Sequence, residues 1–311
     1  VSTAECPACG GNLATWRDVI PSEPPGARPV ALLRCNRCAS AVTDAPLPPA
    51  VHDTGAYATH RPRLRRTAAP ILDRFDRQRL RLLGTPGPRL LDVGAGRGRF
   101  VAAARHAGFA AEGIEPSSRG IRAAREQYGV DLRPEQIATA TVAPGSLDAV
   151  TLWHVLEHLD DPAAALAAIV GWLRPGGVIL IGVPNLASLQ ARLGGARWFH
   201  LDVPRHRTHF TAGGLELLLT ACGLEILDTT HVLAEHNPFG MWQSLVNRLT
   251  DRPSYLYNLL KRNAPLAAGD LAITLAALAL VPLAAGLELA AGLAGHGGSV
   301  AILARRPDAT A

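Results

Sequence analysis

Four of the five cysteines in this chain stand as two C-x-x-C pairs, Cys6 with Cys9 and Cys35 with Cys38, separated by 25 residues. Each pair can close a tight knuckle, and four thiolates complete the tetrahedral set that zinc prefers. Four sulfur ligands leave no open position for water, so the spacing predicts a structural zinc rather than a catalytic one. A second run, LDVGAGRGRF at Leu91 to Phe100, sets an apolar strand ending at Val93 against Gly94, Gly96 and Gly98. Such a turn lets backbone approach a ligand and aims helix N-terminal amides at an anionic group. The third glycine follows the second by two residues, so the dinucleotide form G-x-G-x-x-G is not matched. Glu115 lies 21 residues beyond Gly94 at the end of the next apolar run, where a carboxylate can accept hydrogen bonds from ribose hydroxyls.

Titratable groups gather in two further stretches. His154, Glu157 and His158 follow an apolar run, and on a first helical turn their spacing brings them toward one side. The segment WFHLDVPRHRTHF, Trp198 to Phe210, carries His200, Arg205, His206 and His209. Histidine suits a general base near neutral pH, and an arginine fork suits an anionic acceptor. His154 and His206 are the base candidates and Arg205 the clamp. The bland alternatives are a Glu157–His158 pair that only fixes its loop and a histidine network that only supports a lid.

These groups need a scaffold. Strand-like runs at 89–93, 110–114, 148–153, 177–183, 224–231 and 299–304 alternate with helical stretches near 98–107, 117–128, 162–173 and 211–222. Alternation of this kind predicts a parallel sheet covered on both faces. A short strand is also expected near 130–132. Ahead of the sheet, Arg63 to Leu83 reads as an amphipathic helix, broken or begun afresh at Pro70, with Arg65, Arg66, Arg74, Arg77, Arg79 and Arg81 on its solvated or phosphate-binding face. Residues 234–297 differ in kind: Leu266 to Ala294 is rich in Ala and Leu, and Leu271 to Leu287 carries no charge. Asp270, Pro282 and Glu288 bracket or interrupt that run, which argues against a single membrane crossing. The segment is expected to form a kinked or paired helical element that packs on a partner chain or lies on a membrane face. The resulting division is a zinc-ribbon-like domain at 1–45, a linker and helix at 46–85, a core at 86–233, an apolar helical insertion at 234–297 and a last core strand at 298–306.

Composition sets outer limits. With 311 residues, 48% of them hydrophobic and 18% charged, intrinsic disorder, collagen and coiled coil are excluded as whole-chain readings. The net charge of +5 comes from 30 Arg and one Lys, Lys261, a skew that coding bias explains as readily as an anionic partner. Five cysteines are too few for a disulfide-stapled scaffold of this length, and VSTAECPACG lacks the features of a signal peptide, so a reducing cytoplasmic location is expected; membrane-surface association and a homo-oligomer are the two alternatives for 266–294.

The pieces LDVGAGRG, GIEPS at Gly113 to Ser117, LDAVTLWHVLEHLDDP at Leu147 to Pro162 and LRPGGVILIGVPN at Leu173 to Asn185 closely resemble the class I S-adenosylmethionine-dependent methyltransferases. More narrowly, the chain resembles a bacterial subfamily with an N-terminal zinc-ribbon-like segment, an EH pair after the fourth strand and a PRH segment, here Pro204 to His206, followed by HFT. The resemblance implies an α/β, Rossmann-like seven-stranded sheet with helices on both faces, its last strand inserted antiparallel. It implies that Asp92, Gly94, Gly96 and Gly98 hold the methionine part of S-adenosylmethionine, that Glu115 holds the ribose and that Trp153 belongs to the cofactor site. No residue between 133 and 147 matches the usual adenine contact. In this family the loop after the fourth strand faces the transferred methyl. Some quinone-modifying relatives bind a divalent ion there through two acids and a histidine, a pattern from which His154 departs. The expected activity is methyl transfer to a small molecule or a carrier-linked glycan or lipid precursor, with oxygen the favoured acceptor atom. An RNA methyltransferase gripping its substrate with ribbon and arginine helix is the alternative, disfavoured by an aromatic content of 5%. A non-catalytic adaptor is the other.

Overall fold

In a computed structural model, residues 5–22, 27–46, 65–261 and 264–308 are described. The chain begins with three antiparallel strands, β1 (Leu13–Val19), β2 (Val30–Cys35) and β3 (Ala41–Asp44). Helix α1 (Arg65–Leu83) follows and runs on through Pro70 without a break. Arg63 and Leu64, the expected start of this helix, lie outside the described residues.

The larger sheet takes its strands from β4 (Arg89–Val93), β5 (Ala110–Ile114), β6 (Leu147–Trp153) and β7 (Leu173–Pro184), then β9 (Glu225–Thr230) and β10 (Ser299–Arg305). Its order is β5-β4-β6-β7-β10-β9, with β4, β5, β6 and β7 parallel and β10 antiparallel to both neighbours. Helices α2 (Arg99–His106), α3 (Ser118–Tyr128), α4 (Pro162–Trp172) and α6 (Ala212–Ala221) fall within a few residues of the expected stretches. Alternate strand residues feed two cores. Leu91, Val93, Val150 and Ile179 face one side with Leu166 and Leu215, while Leu90, Ala149 and Leu180 face the other with Val101 and Ala124. Apolar residues on both strand faces are the reason these runs look continuous rather than alternating in sequence.

Six strands, not seven, form this sheet among the described residues. The expected strand near 130–132 is reduced to a single parallel bridge between Ile114 and Arg133, made by Arg133 N–H to Gly113 O and Glu115 N–H to Arg133 O, each at 3.0 Å. Pro134 follows at once and has no N–H with which to extend the ladder.

The ribbon is not a domain apart. Strand β8 (Thr208–His209), from the second histidine stretch, joins the small sheet as its fourth strand in the order β1-β2-β3-β8, pairing Ala41 with His209 and Val42 with Thr208. Between β7 and β8 lies the short α5 (Leu189–Gly194). The insertion forms α7 (Asn237–Val246), α8 (Tyr255–Leu260), α9 (Ala268–Ala277) and α10 (Val281–Leu293), with Met241, Trp242, Ala277 and Ala284 in a core of their own.

Candidate active site

A cavity of about 590 Å³ opens at the carboxyl ends of β4, β5 and β6, the usual ligand position in an open α/β sheet. Its floor is the glycine turn. Gly94, Gly96 and Gly98 all have positive φ, at 67°, 58° and 72°, a region that side chains other than glycine's enter only with strain. A Cβ on Gly94 would lie 2.5 Å from Val155 Cγ2. Glu115 ties this turn to the end of β5: its carboxylate accepts from Gly96 N–H at 2.8 Å and from Ser117 N–H at 2.9 Å. Val93, Gly94, Ile114 and Glu115 line the cavity.

Asp92 lies beneath that floor. Its Oδ1 accepts from Thr151 Oγ1 at 2.6 Å and from Arg79 Nη2 at 3.1 Å, and burial pushes its carboxyl above the ordinary range. Arg79, expected on the solvated face of α1, is 6% exposed; its guanidinium lies 3.7 Å from the Phe100 ring centroid and 4.8 Å from that of Trp153. The sequence pattern misplaced it because a long arginine stem reads as polar wherever its head finds a carboxylate. Trp153, expected to touch the cofactor, packs instead between Arg79 and Gly182, and the cavity wall does not include it. The wall does include Glu135, Gln136 and Ile137, which sequence reasoning left blank because the strand preceding them is only one bridge long.

Opposite the glycine turn stands a cluster of histidines. His154, held at φ 56° with its N–H donating to Gly182 O at 2.9 Å, meets Glu157 through Nδ1 to Oε1 at 3.2 Å. The carboxylate thus accepts a hydrogen bond from Nδ1–H and leaves Nε2 as the basic nitrogen. Glu157 is 1% exposed; burial raises its carboxyl, but the His154 hydrogen bond and the surrounding imidazoles outweigh burial and bring it down to about 2. Its partner is therefore His154, not His158. The latter donates through Nδ1 to the Arg205 carbonyl, 3.1 Å away, and burial lowers it to about 4.

His206 Nδ1 donates to His200 O at 2.8 Å, which points Nε2 toward Glu157 Oε1 and Asp202 Oδ2, each 3.9 Å away. His200 stacks parallel to His154 at 6.2 Å and is held well below its ordinary value by burial. Arg205 lines the cavity, but its fork closes on Asp202, with Nε to Oδ2 at 2.9 Å and Nη2 to Oδ1 at 2.5 Å. The guanidinium expected to clamp the acceptor is thus paired with Asp202, three residues before it. His209 turns away into the ribbon, where Nε2 meets Thr43 Oγ1 at 3.0 Å.

The insertion completes the cavity with His236, Ser254, Tyr257 and Lys261. Lys261, the sole lysine, donates to the Tyr257 hydroxyl and sits 3.9 Å from that ring's centroid. Sequence reading saw only apolar helices there. Among the described residues, five other than glycine have positive φ, and four of them, His154, Asp202, His236 and Ser254, line this cavity. Backbone strain concentrated in one place is a mark of function.

Two donor sets could hold metal. The four cysteine sulfurs lie within 4.8 Å of one another, with Cys6 to Cys38 at 3.7 Å and Cys9 to Cys35 at 3.5 Å. Zinc–sulfur bonds of about 2.3 Å at tetrahedral angles place sulfurs about 3.8 Å apart, so the set fits. Glu157, His158 and His206 also bring ligand atoms within 4.8 Å of one another, inside the cavity.

Residues 59–229 match the family model described as a methyltransferase domain. Relatives called ubiquinone biosynthesis O-methyltransferase include one from Xanthomonas campestris pv. campestris (strain B100), 30% identical over 48% of this chain and 68% of its own length. Another, from Cupriavidus pinatubonensis, is 28% identical over 55% of this chain and 72% of its own. Among solved structures, the [4+2]-cyclase SpnF superposes with a TM-score of 0.51 at 22% identity, covering 81% of this chain and 86% of that one. A putative sarcosine dimethylglycine methyltransferase from Galdieria sulphuraria does so with 0.51 at 16% identity, covering 78% and 88%. These two likenesses concern the fold.

Proposed function

Because the chain belongs to the class I S-adenosylmethionine-dependent methyltransferases, we propose that it methylates a hydroxyl of a small-molecule or carrier-linked glycan or lipid-precursor acceptor held in the histidine-lined half of the cavity, with His154 as base. Bound S-adenosylmethionine supplies an electrophilic methyl on its sulfonium. The glycine turn and Glu115 would hold it, and Glu135 to Ile137 stand where its base can lie. Methyl transfer is an in-line displacement, so the chain's own work is alignment and proton removal.

The observation that carries this reading is the hydrogen bond between Glu157 and His154 Nδ1. It fixes the tautomer in which Nε2 accepts the hydroxyl proton, and the buried carboxylate stabilises the imidazolium that forms. Oxygen as acceptor atom is supported by the O-methyltransferases among the relatives. Zinc on Cys6, Cys9, Cys35 and Cys38 would be structural: Thr211 Oγ1 donates to Cys38 O at 2.8 Å, and Thr43 Oγ1 donates to His206 O at 2.5 Å, so the knuckle braces the segment that carries His206.

The test is His154→Ala, assayed with a panel of hydroxylated acceptors and by calorimetry with S-adenosylmethionine. Turnover should fall by roughly 10²- to 10⁴-fold while cofactor affinity stays within about twofold. Near-normal turnover would assign catalysis to alignment alone, and loss of cofactor binding would make His154 part of the cofactor pocket.

A further inference from the structure

Helices α9 and α10 join through a tight turn at Leu278–Leu280 into one bent rod, Ala268–Leu293, of 26 residues. Its most apolar stretch has a mean hydropathy of 2.0 and is only 22% buried. One side is docked on the body: Thr274, Ala277, Ala284 and Ala291 are buried, and Trp242 Nε1 donates to Ala277 O at 2.7 Å. Both acids of the rod face that docked side. Asp270 accepts from Asp251 N–H at 2.8 Å, and Glu288 accepts from Gly298 N–H and Gln190 Nε2, each at 2.7 Å.

The outward side is different. From Leu271 to Leu293 it has no exposed charge, and it presents Leu275, Leu278, Leu283, Leu289 and Leu293 at 57%, 47%, 60%, 51% and 75% exposure. Single exposed leucines are ordinary, but a contiguous charge-free face marks an interaction surface. The rod cannot cross a bilayer while docked along its length and soon followed by β10, which returns to the sheet between β7 and β9. A helix held in this way can only lie in the plane of an interface.

Charge beside the rod points to the occupant. On α1, Arg74, Arg77 and Arg81 are exposed on one face, and Arg74 and Arg81 share a groove with Ala285 and Leu289 of α10. An apolar stripe bordered by cations complements anionic headgroups above acyl chains. We propose that this face, leucines of α9 and α10 with the arginines of α1, seats the protein on an anionic phospholipid surface.

The test is flotation of the full chain with phosphatidylcholine vesicles, with and without phosphatidylglycerol. Retention is expected on the phosphatidylglycerol vesicles and should weaken with salt. Replacing Arg74, Arg77 and Arg81 by Gln should weaken it by roughly fivefold per arginine, and Leu283→Glu with Leu289→Glu should abolish it. Unchanged S-adenosylmethionine affinity in both variants reports an intact fold, since none of these residues lines the cavity. Failure of the wild type to float with phosphatidylglycerol would overturn the proposal. So would undiminished retention of the arginine variant, or a solution dimer that Leu283→Glu with Leu289→Glu disperses. Flotation needs no turnover, so its failure would leave the methyl-transfer reading untouched.

Discussion

The two halves of the cavity are built in opposite ways. The half that would take the cofactor comes from one local unit, β4, its glycine turn, α2 and β5, and its key contacts are backbone amides meeting Glu115. The facing half is assembled from three segments far apart in sequence, 154–158, 199–209 and 236–261, with the ribbon bracing the second through β3 and β8. Local construction needs only the right glycines. Remote construction needs every supporting layer, so the acceptor half should fail first under any insult that spares the sheet.

Metal removal should widen that difference most. Thiolate coordination supplies folding free energy of about 10–16 kcal/mol in small zinc modules, and the ribbon gives only Val19, Leu32 and Ala41 to a buried cluster that it shares with Leu186, Trp198 and Leu201. Cys6→Ser with Cys9→Ser should lose one zinc per chain by elemental analysis and raise hydrogen exchange at Thr208 and His209, with β4 to β6 still protected. Gly94→Val is the mirror experiment. Its branched side chain meets Val155, so cofactor affinity should collapse while the ribbon keeps its metal.

Acid should separate the halves next. Burial lowers His158 and His236 to about 4 and His209 to about 3, against 6.5 for an ordinary histidine. The unfolded chain therefore binds more protons than the folded one between these values, so stability falls as pH drops from about 6.5 through 4 and, for His209, on to about 3. At pH 5, hydrogen exchange should rise over 199–209 before it rises over 89–114. Glu157, held at about 2, adds a loss only below its unfolded value of 4.5. Uniform exchange across both halves would defeat the comparison.

Glu157→Gln tests positioning within the acceptor half. It keeps the side chain's volume but cannot stabilise an imidazolium, so turnover should drop by part of the roughly 10²- to 10⁴-fold worth of the base. Cofactor affinity should stay unchanged. The smallest effect expected is that of Thr43→Val. It removes the hydroxyl that bridges His206 O and His209 Nε2, leaving buried polar atoms unpaired at a cost of about 1–3 kcal/mol in thermal unfolding.

How much of this was legible follows from the same contrast. The glycine turn, the paired cysteines and the parallel sheet could be read because each depends on neighbours in sequence: positive φ selects glycine, metal geometry sets C-x-x-C, and a two-sided core makes strands uniformly apolar. Other features could not. Arg79 reads as a surface residue until Asp92 lies beside it, and the pairing of Arg205 with Asp202 shows only in the folded chain. His154 rather than His158 pairs with Glu157 because a left-handed backbone turns its ring, a choice no spacing rule contains. The contribution of α8 and its lysine to the cavity depends on how an apolar insertion folds back over the sheet. Sequence determined the elements and the half-site made within them; only tertiary structure decided which charges meet, because pairing between distant side chains is set by where packed elements bring them.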